Sequence, residues 1–271
     1  MIKQAIIPLA GLGTRLLPLT SVFAKELLPI NGRPGIEYIL DECIEAGIKE
    51  IIFIISTKKL MIRKYFYSDM FYKNIIKKKK DHRIINEYKK ILKYKNKIKF
   101  VFQNIPKGTG DAVLKTQKYI KSKYFLMLLP DDLIIKKNCS KSMIKVHKRY
   151  HASVMASMKV KKSNVSRWGI YKINKKLNKR NYVIDGVFEK PSVKNAPSNN
   201  AVIGRYILPR TIFKKIKSLK PSKGKEIHIT DAIQLLINDK EKFIAHNFEG
   251  KYLDCGTMSG YINSSKEIGK I

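Results

Sequence analysis

AIIPLAGLGTRLLPLTSVFAKELLPI, residues 5–30, joins an apolar run to a glycine turn and two cations. It starts as a short apolar strand, breaks at Gly11 and Gly13, and then supplies Arg15 and the pair Lys25–Glu26. A glycine turn behind a buried strand brings bare backbone to the C-terminal edge of a sheet, where anions bind in open α/β folds. A dinucleotide fingerprint would need a third glycine, but Leu16 stands in its place and Pro18 interrupts any following helix. That disfavours a nicotinamide dehydrogenase. A Walker loop is excluded too, because no Gly-Lys-Ser/Thr closes the turn. On its own, what remains reads either as a phosphate cradle or as a structural turn.

Working outward, KQAIIPL, EIIFIIS, KIKFVFQ and KYFLMLLP are short apolar runs bounded by Gly, Pro or Asp, the pattern of buried parallel strands. Between two of them, GIEYILDECIEAGIKE places Ile36, Leu40, Cys43 and Ile44 on one helical stripe, with Gly47 as its C-terminal cap. This is βαβ logic. In the second half SVMASMKV, WGIYKI, NYVIDGVFEK and AVIGRYIL read as strands, and RTIFKKIKSL and ITDAIQLLIN as helices. The expectation is one domain over residues 1–271, with a mixed, mainly parallel central sheet flanked by helices. Its N-terminal part, about 1–135, would bind the first ligand and its C-terminal part, about 136–271, the second.

Composition adds bounds. The chain has 271 residues, 44% of them hydrophobic, enough for a substantial core. Against 21 Asp+Glu stand 56 Lys+Arg, a net +35 that would attract polyanions. The excess is mostly lysine spread along the chain, without Arg-rich or aromatic readout chemistry, so no specific nucleic-acid partner is expected. The densest run, from Lys73, has helical periodicity that leaves Lys77 to Lys80 on solvated faces. Three cysteines without CxxC spacing argue against a disulfide scaffold and for a reducing cytoplasm. No run is long enough to span a bilayer.

The scarce acids carry the next signal. Asp131 and Asp132 follow YFLMLLP, and Asp254 follows a short strand in KYLDCGT. Carboxylates where buried strands emerge need a cation or hydrogen bonds to offset desolvation. Two such acids suit Mg²⁺, which binds one or two carboxylates together with phosphate oxygens and water. FQNIPKGTGDAVL, residues 102–114, offers an amide and glycines suited to a base edge. His147 and His151 share a helical face, but no HExxH motif or third zinc ligand accompanies them. Lys190 in FEKPS is, alone, one lysine among many.

Taken in order, AGLGTRLLPLT, AKELLP, FQNIPKGTGDAVL, LLPDD, FEKP, SNNAVIGRYIL, KEIHITDAI and YLDCGT resemble the motifs of sugar-1-phosphate nucleotidyltransferases, along nearly the whole chain. They are closer to the uridylyl-transferring branch than to the thymidylyl one. The resemblance implies a Rossmann-like nucleotidyltransferase fold and an enzyme that, with Mg²⁺, transfers UMP from UTP to glucose 1-phosphate. Ala10, Gly11 and Gly13 would lie against the triphosphate, with Arg15 and Lys25 neutralising it. Glu26, Gln103 and Gly108 would place the uridine, and Asp131 and Asp254 would hold the metal. Gly169, Glu189 and Val202 would line glucose, and Lys190 would bind its phosphate. A homo-oligomer is the expected assembly. The rival readings are a dTTP-using relative and, from another class, a polyanion binder on an inactive scaffold.

One departure from the family stands out. Asp111 occupies a position where relatives commonly carry His. It would either support the helix start or face the triphosphate and weaken binding.

Overall fold

The computed structural model describes residues 2–220 and 226–270. Its strands are β1 (Gln4–Pro8), β2 (Pro29–Ile30), β3 (Arg33–Pro34), β4 (Glu50–Ile55), β5 (Ile98–Phe102), β6 (Tyr124–Leu128), β7 (Asp132–Ile135), β8 (Ser153–Lys159), β9 (Gly169–Lys176), β10 (Asn181–Glu189), β11 (Asn200–Pro209), β12 (Phe243–Asn247) and β13 (Lys251–Asp254). The helices are α1 (Gly35–Glu45), α2 (Leu60–Phe66), α3 (Asp69–Lys79), α4 (His82–Lys95), α5 (Gly108–Leu114), α6 (Cys139–Tyr150), α7 (Ile212–Ser218), α8 (Ile229–Asn238) and α9 (Met258–Ile268).

Among the described residues, nine strands form one sheet in the order β5-β4-β1-β6-β11-β8-β12-β10-β9. The pairings among β5, β4, β1 and β6 are parallel. Beyond β6 the sheet is mixed: β11 runs antiparallel to β6 and β8, β8 and β12 are parallel, and β10 is antiparallel to both its neighbours. Parallel pairing therefore prevails only in the N-terminal half; in the second half β9 and β10 form a hairpin, whereas β11 meets β6 and β8, and β10 meets β12, across long stretches of chain.

The continuous apolar runs have a simple cause. Ala5 and Ile7 of β1 face one core with Ile51, Phe53 and Ile55 of β4 and Leu126 and Leu128 of β6. Ile6, Ile52, Ile54, Phe125 and Met127, alternating with them, face a second core on the other side. Helices α1, α2, α4 and α6 cover the first face, and α5, α7 and α8 the second. On α1, Ile36, Leu40 and Cys43 are buried as the stripe predicts, joined by Ile39, and each fully buried aliphatic contributes about 1.5–3 kcal/mol. Gly47 takes φ 87°, the left-handed conformation that ends the helix.

The lysine-rich run forms α3 and α4, with Lys77 to Lys80 exposed. All three cysteines are buried and free. Among the described residues no helix is long and apolar enough to cross a membrane.

Candidate active site

The site lies beyond the C-terminal ends of β1, β4, β5 and β6. The chain leaves β1 to form β4 and β5 on one side and later adds β6 on the other, so a crevice opens where the order reverses. A cavity of about 510 Å³ occupies it. Gly11, Gly13, Lys25, Glu26, Gln103, Gly108 and Asp131 line it, together with Pro8, Leu12, Thr14, Pro106, Thr109, Leu129, Pro130, Glu226 and His228. Ala10 is buried just behind.

The glycine turn borders the cavity. Gly13 has φ 72°, which a side chain rarely adopts, and Thr20 donates to its carbonyl at 2.9 Å. A Cβ on Gly11 would meet nothing within 4 Å, so that glycine leaves open room at the cavity. Gly108 has φ 91° and presses on Ile227, whose backbone O would lie 2.4 Å from a Cβ placed there. Two backbone hydrogen bonds, Gly110 N to Ile227 O at 2.7 Å and Ile227 N to Lys107 O at 2.9 Å, hold the two segments together. This pairing brings Glu226 and His228 into the cavity. Of the motif KEIHITDAI, Lys225 lies outside the described residues.

Charges meet at the end of β6. Lys25 donates to Asp131 Oδ2 at 2.7 Å, and Arg15 reaches the same oxygen at 3.4 Å. Burial alone would lower the Lys25 pKa, but the charges of Asp131 and Glu26 and the hydrogen bond to Asp131 outweigh it, so it is raised. Burial likewise pushes Asp131 up, and the charge and hydrogen bond of Lys25 bring it below the usual carboxylate range. Its neighbour behaves oppositely. Asp132 is pushed up to about 6 by burial and by the charge of Asp131, while Tyr252 Oη and Gly204 N donate to it. Adjacent carboxylates thus differ because one faces two cations and the other faces the interior.

The donor set fits a divalent cation. Around Gly256 a Cβ would come within 2.9 Å of Arg15 Nη2, 3.0 Å of Asp131 Oδ2 and 3.2 Å of Asp254 Oδ1, so only the missing side chain leaves this cradle free. Among the described residues no cluster of three or more His, Cys, Asp or Glu forms a metal site. Two hard carboxylate oxygens are what Mg²⁺ takes when phosphates and water complete its shell.

Glu26 lines the cavity, yet its carboxylate accepts from Lys59 Nζ at 2.8 and 2.9 Å. Burial pulls the Lys59 pKa down despite this partner. Gln103 N donates to Ile55 O at 2.8 Å, which seats it at the cavity wall. Asp111 sits in the first turn of α5, where the helix dipole favours an acid, but makes no cap hydrogen bond and does not line the cavity. It accepts from Gln103 Nε2 at 2.7 Å instead.

The second group assembles on β9, β10 and β11, outside that cavity. Gly169 pairs with Glu189, and a Cβ on Gly169 would lie 3.2 Å from Glu189 Oε2 and 3.3 Å from Val202 Cγ2. Lys190 follows, exposed and with φ 43°, its N–H donating to Trp168 O at 3.0 Å. Val202 stands two residues, about 7 Å along an extended strand, from Gly204, whose N–H holds Asp132. His147 and His151 lie elsewhere, and His147 Nδ1 is bonded to Ala152 O.

Glu226, His228, Lys59, Tyr252 and Arg205 escaped the sequence reading. The motif KEIHITDAI pointed to the first two, but only the contact with Gly108 and Gly110 shows which of its residues turn inward.

A parallel-to-mixed sheet with a glycine turn, two cations and two converging carboxylates at its switch point defines a protein that handles phosphate esters. More particularly, the chain belongs to the nucleotidyl transferase family, whose model matches residues 4–270. It is 36% identical over 269 residues to a putative UTP–glucose-1-phosphate uridylyltransferase of Methanocaldococcus jannaschii, covering 99% of this chain and 94% of that one. Its structure is similar to a UDP-glucose pyrophosphorylase solved with UDP-glucose, with TM-score 0.87, 35% identity and coverage of 100% and 99% of the two chains. It is also similar to a UTP-bound UGPase of Acinetobacter baumannii, with TM-score 0.91, 33% identity and coverage of 99% and 94%.

Proposed function

We propose that this chain transfers UMP from UTP to glucose 1-phosphate, yielding UDP-glucose and pyrophosphate. The observation that carries the reading is the convergence of Arg15, Lys25, Asp131 and Asp254 at the mouth of the cavity lined by the glycine turn and Gln103. The names of its relatives support the choice of nucleotide and sugar.

In this reading the triphosphate lies along Ala10, Gly11 and Gly13, with the uridine toward Glu26, Gln103 and Gly108. Glucose packs on Gly169, Glu189 and Val202, and Lys190 binds its phosphate. An oxygen of that phosphate attacks the α-phosphorus of UTP in line. A new P–O bond forms while the bond to the α,β-bridging oxygen breaks, and pyrophosphate leaves with that electron pair. The sugar phosphate is largely dianionic at neutral pH, its second pKa being about 6, so no general base is required.

The barrier is repulsion between two anions. Arg15, Lys25 and Lys190 screen it and stabilise charge on the leaving oxygen. In the free protein Arg15 and Lys25 are held by Asp131, which keeps both cations where the phosphates arrive. Mg²⁺ held by Asp131 and Asp254 would neutralise further phosphate charge and polarise the phosphoryl group.

The test follows pyrophosphate release with glucose 1-phosphate and UTP, dTTP, CTP, ATP or GTP. UTP is expected to give the highest kcat/KM. Preference for another nucleotide would overturn the uridylyl assignment.

A further inference from the structure

Gln103 is almost wholly buried at the cavity wall, and both hydrogens of its amide are engaged by protein. Nε2 donates to Gly108 O at 3.2 Å and to Asp111 Oδ2 at 2.7 Å. Among the described residues Oε1 meets no donor, and it is not sealed from solvent. The amide therefore turns a lone acceptor toward the cavity. Rotating it by half a turn would set Oε1 against a carbonyl and a carboxylate, so both contacts resist the flip. The carboxylate contact is the shorter one and carries full charge, so Asp111 dominates the choice.

Asp111 does not line the nucleotide cavity; it lines a separate hollow with Phe102, Leu114 and Lys115, whose Nζ lies 3.9 Å from its Oδ1. It reaches a ligand only through Gln103. A fixed acceptor matches an N–H on a pyrimidine edge. Uracil and thymine carry one at N3, whereas N3 of cytosine is a lone pair and would face Oε1 lone pair to lone pair.

We propose that Asp111 is a positioning residue that fixes the Gln103 amide with Oε1 toward the base, making the site select uracil or thymine against cytosine. The proposal rests on the nucleotide reading of this cavity and specifies how the base is chosen. It predicts that selectivity, rather than the phosphate chemistry, depends on a carboxylate that no substrate touches.

The experiment compares kcat/KM for UTP, dTTP and CTP in the full chain and in Asp111→Ala, Asp111→Ser and Asp111→Asn, by pyrophosphate release. All assays run below the melting transition of each variant. Asp111→Ser, whose hydroxyl stops short of Gln103, repeats the test should Asp111→Ala not fold. The UTP-over-CTP ratio is expected to fall about tenfold or more in Asp111→Ala, because a site that no longer fixes its polar edge loses its penalty for the wrong partner. The UTP-over-dTTP ratio should hold, since both bases share N3–H. Asp111→Asn, whose Oδ1 still accepts from Nε2, should keep most of the selectivity. An unchanged UTP-over-CTP ratio in folded Asp111→Ala or Asp111→Ser, or an equal loss for all three nucleotides, would overturn the proposal. A wild-type chain without turnover would instead overturn the proposed function, and calorimetric affinities for UTP and CTP would still decide the role of Asp111.

Discussion

Arg205 is the largest fully buried side chain among the described residues, and its removal should loosen both the fold and the site. From β11 its guanidinium donates to both oxygens of Glu42 on α1 at 2.9 to 3.1 Å. It also donates to the carbonyls of Leu129 at 3.1 Å, Gly204 at 3.0 Å and Asp132. Leu129 and Asp132 flank the turn that carries Asp131, so one cation ties helix α1 to that turn. Arg205→Met keeps the bulk and removes the charge. Glu42 is then left with Ser140 N and Oγ as donors, and the carbonyls of Leu129 and Asp132 lose the guanidinium, while Gly204 O keeps Leu129 N at 2.8 Å. Stranding one partner of a buried pair costs about 3–5 kcal/mol, and the donor lost by the Leu129 and Asp132 carbonyls places this site toward the upper end. At roughly 2–4 °C per kcal/mol, Tm should drop by roughly 10 °C. Urea denaturation of Arg205→Met, Glu42→Gln and the double variant measures the coupling. The double variant should recover part of the loss, because it removes the stranded charge. A single-variant loss below about 1 kcal/mol, the range of an exposed pair, would refute the reasoning.

Three further outcomes are expected. Gly108→Ala forces a Cβ to 2.4 Å from Ile227 O at a left-handed φ. It should raise the nucleotide KM about tenfold or more by undocking the loop, in addition to about 1–2 kcal/mol of backbone strain, as kinetics and melting will show. Asp254→Asn should lower turnover by about a hundredfold and shrink the Tm gain given by UTP with Mg²⁺, because one of two converging carboxylates is lost. Equal activity in the variant would remove Asp254 from the proposed metal site. For Asp132 the sign follows from a pKa raised to about 6 in the folded protein. Its stabilising contribution is complete below the unfolded value near 3.8, and it is lost as pH rises through about 6. Asp132→Asn should therefore be more stable than wild type at pH 8, by on the order of 2 kcal/mol, with the gap closing toward pH 4. Denaturation across that range checks it, and a variant less stable at both ends would contradict the assigned cause.

Much of the architecture was legible because local pattern carries it. Alternating burial of Ile51 to Ile55 on two cores requires an unbroken apolar run, which the sequence displays. The α1 stripe and Gly47 likewise follow from helical period and chain reversal. Asp131, Asp254 and the glycine turn were legible as candidates because acids and glycines at strand ends are locally costly or permissive. The prevalence of antiparallel pairing after β6 was not legible, because strand direction depends on how connections cross the sheet rather than on side-chain period.

Local pattern specifies the alternation of strands and helices, the glycine turn and the inventory of acids and cations. Which of them meet is set by the packed fold. Lys25 finds Asp131 across 106 residues and Arg205 finds Glu42 across 163. Lys59 takes up the Glu26 carboxylate, and Asp111, outside the cavity, accepts from Gln103. Hydrophobic periodicity is written within a few residues. A charge pair or an amide orientation is set by segments far apart in the chain, and exists only once both cores have packed.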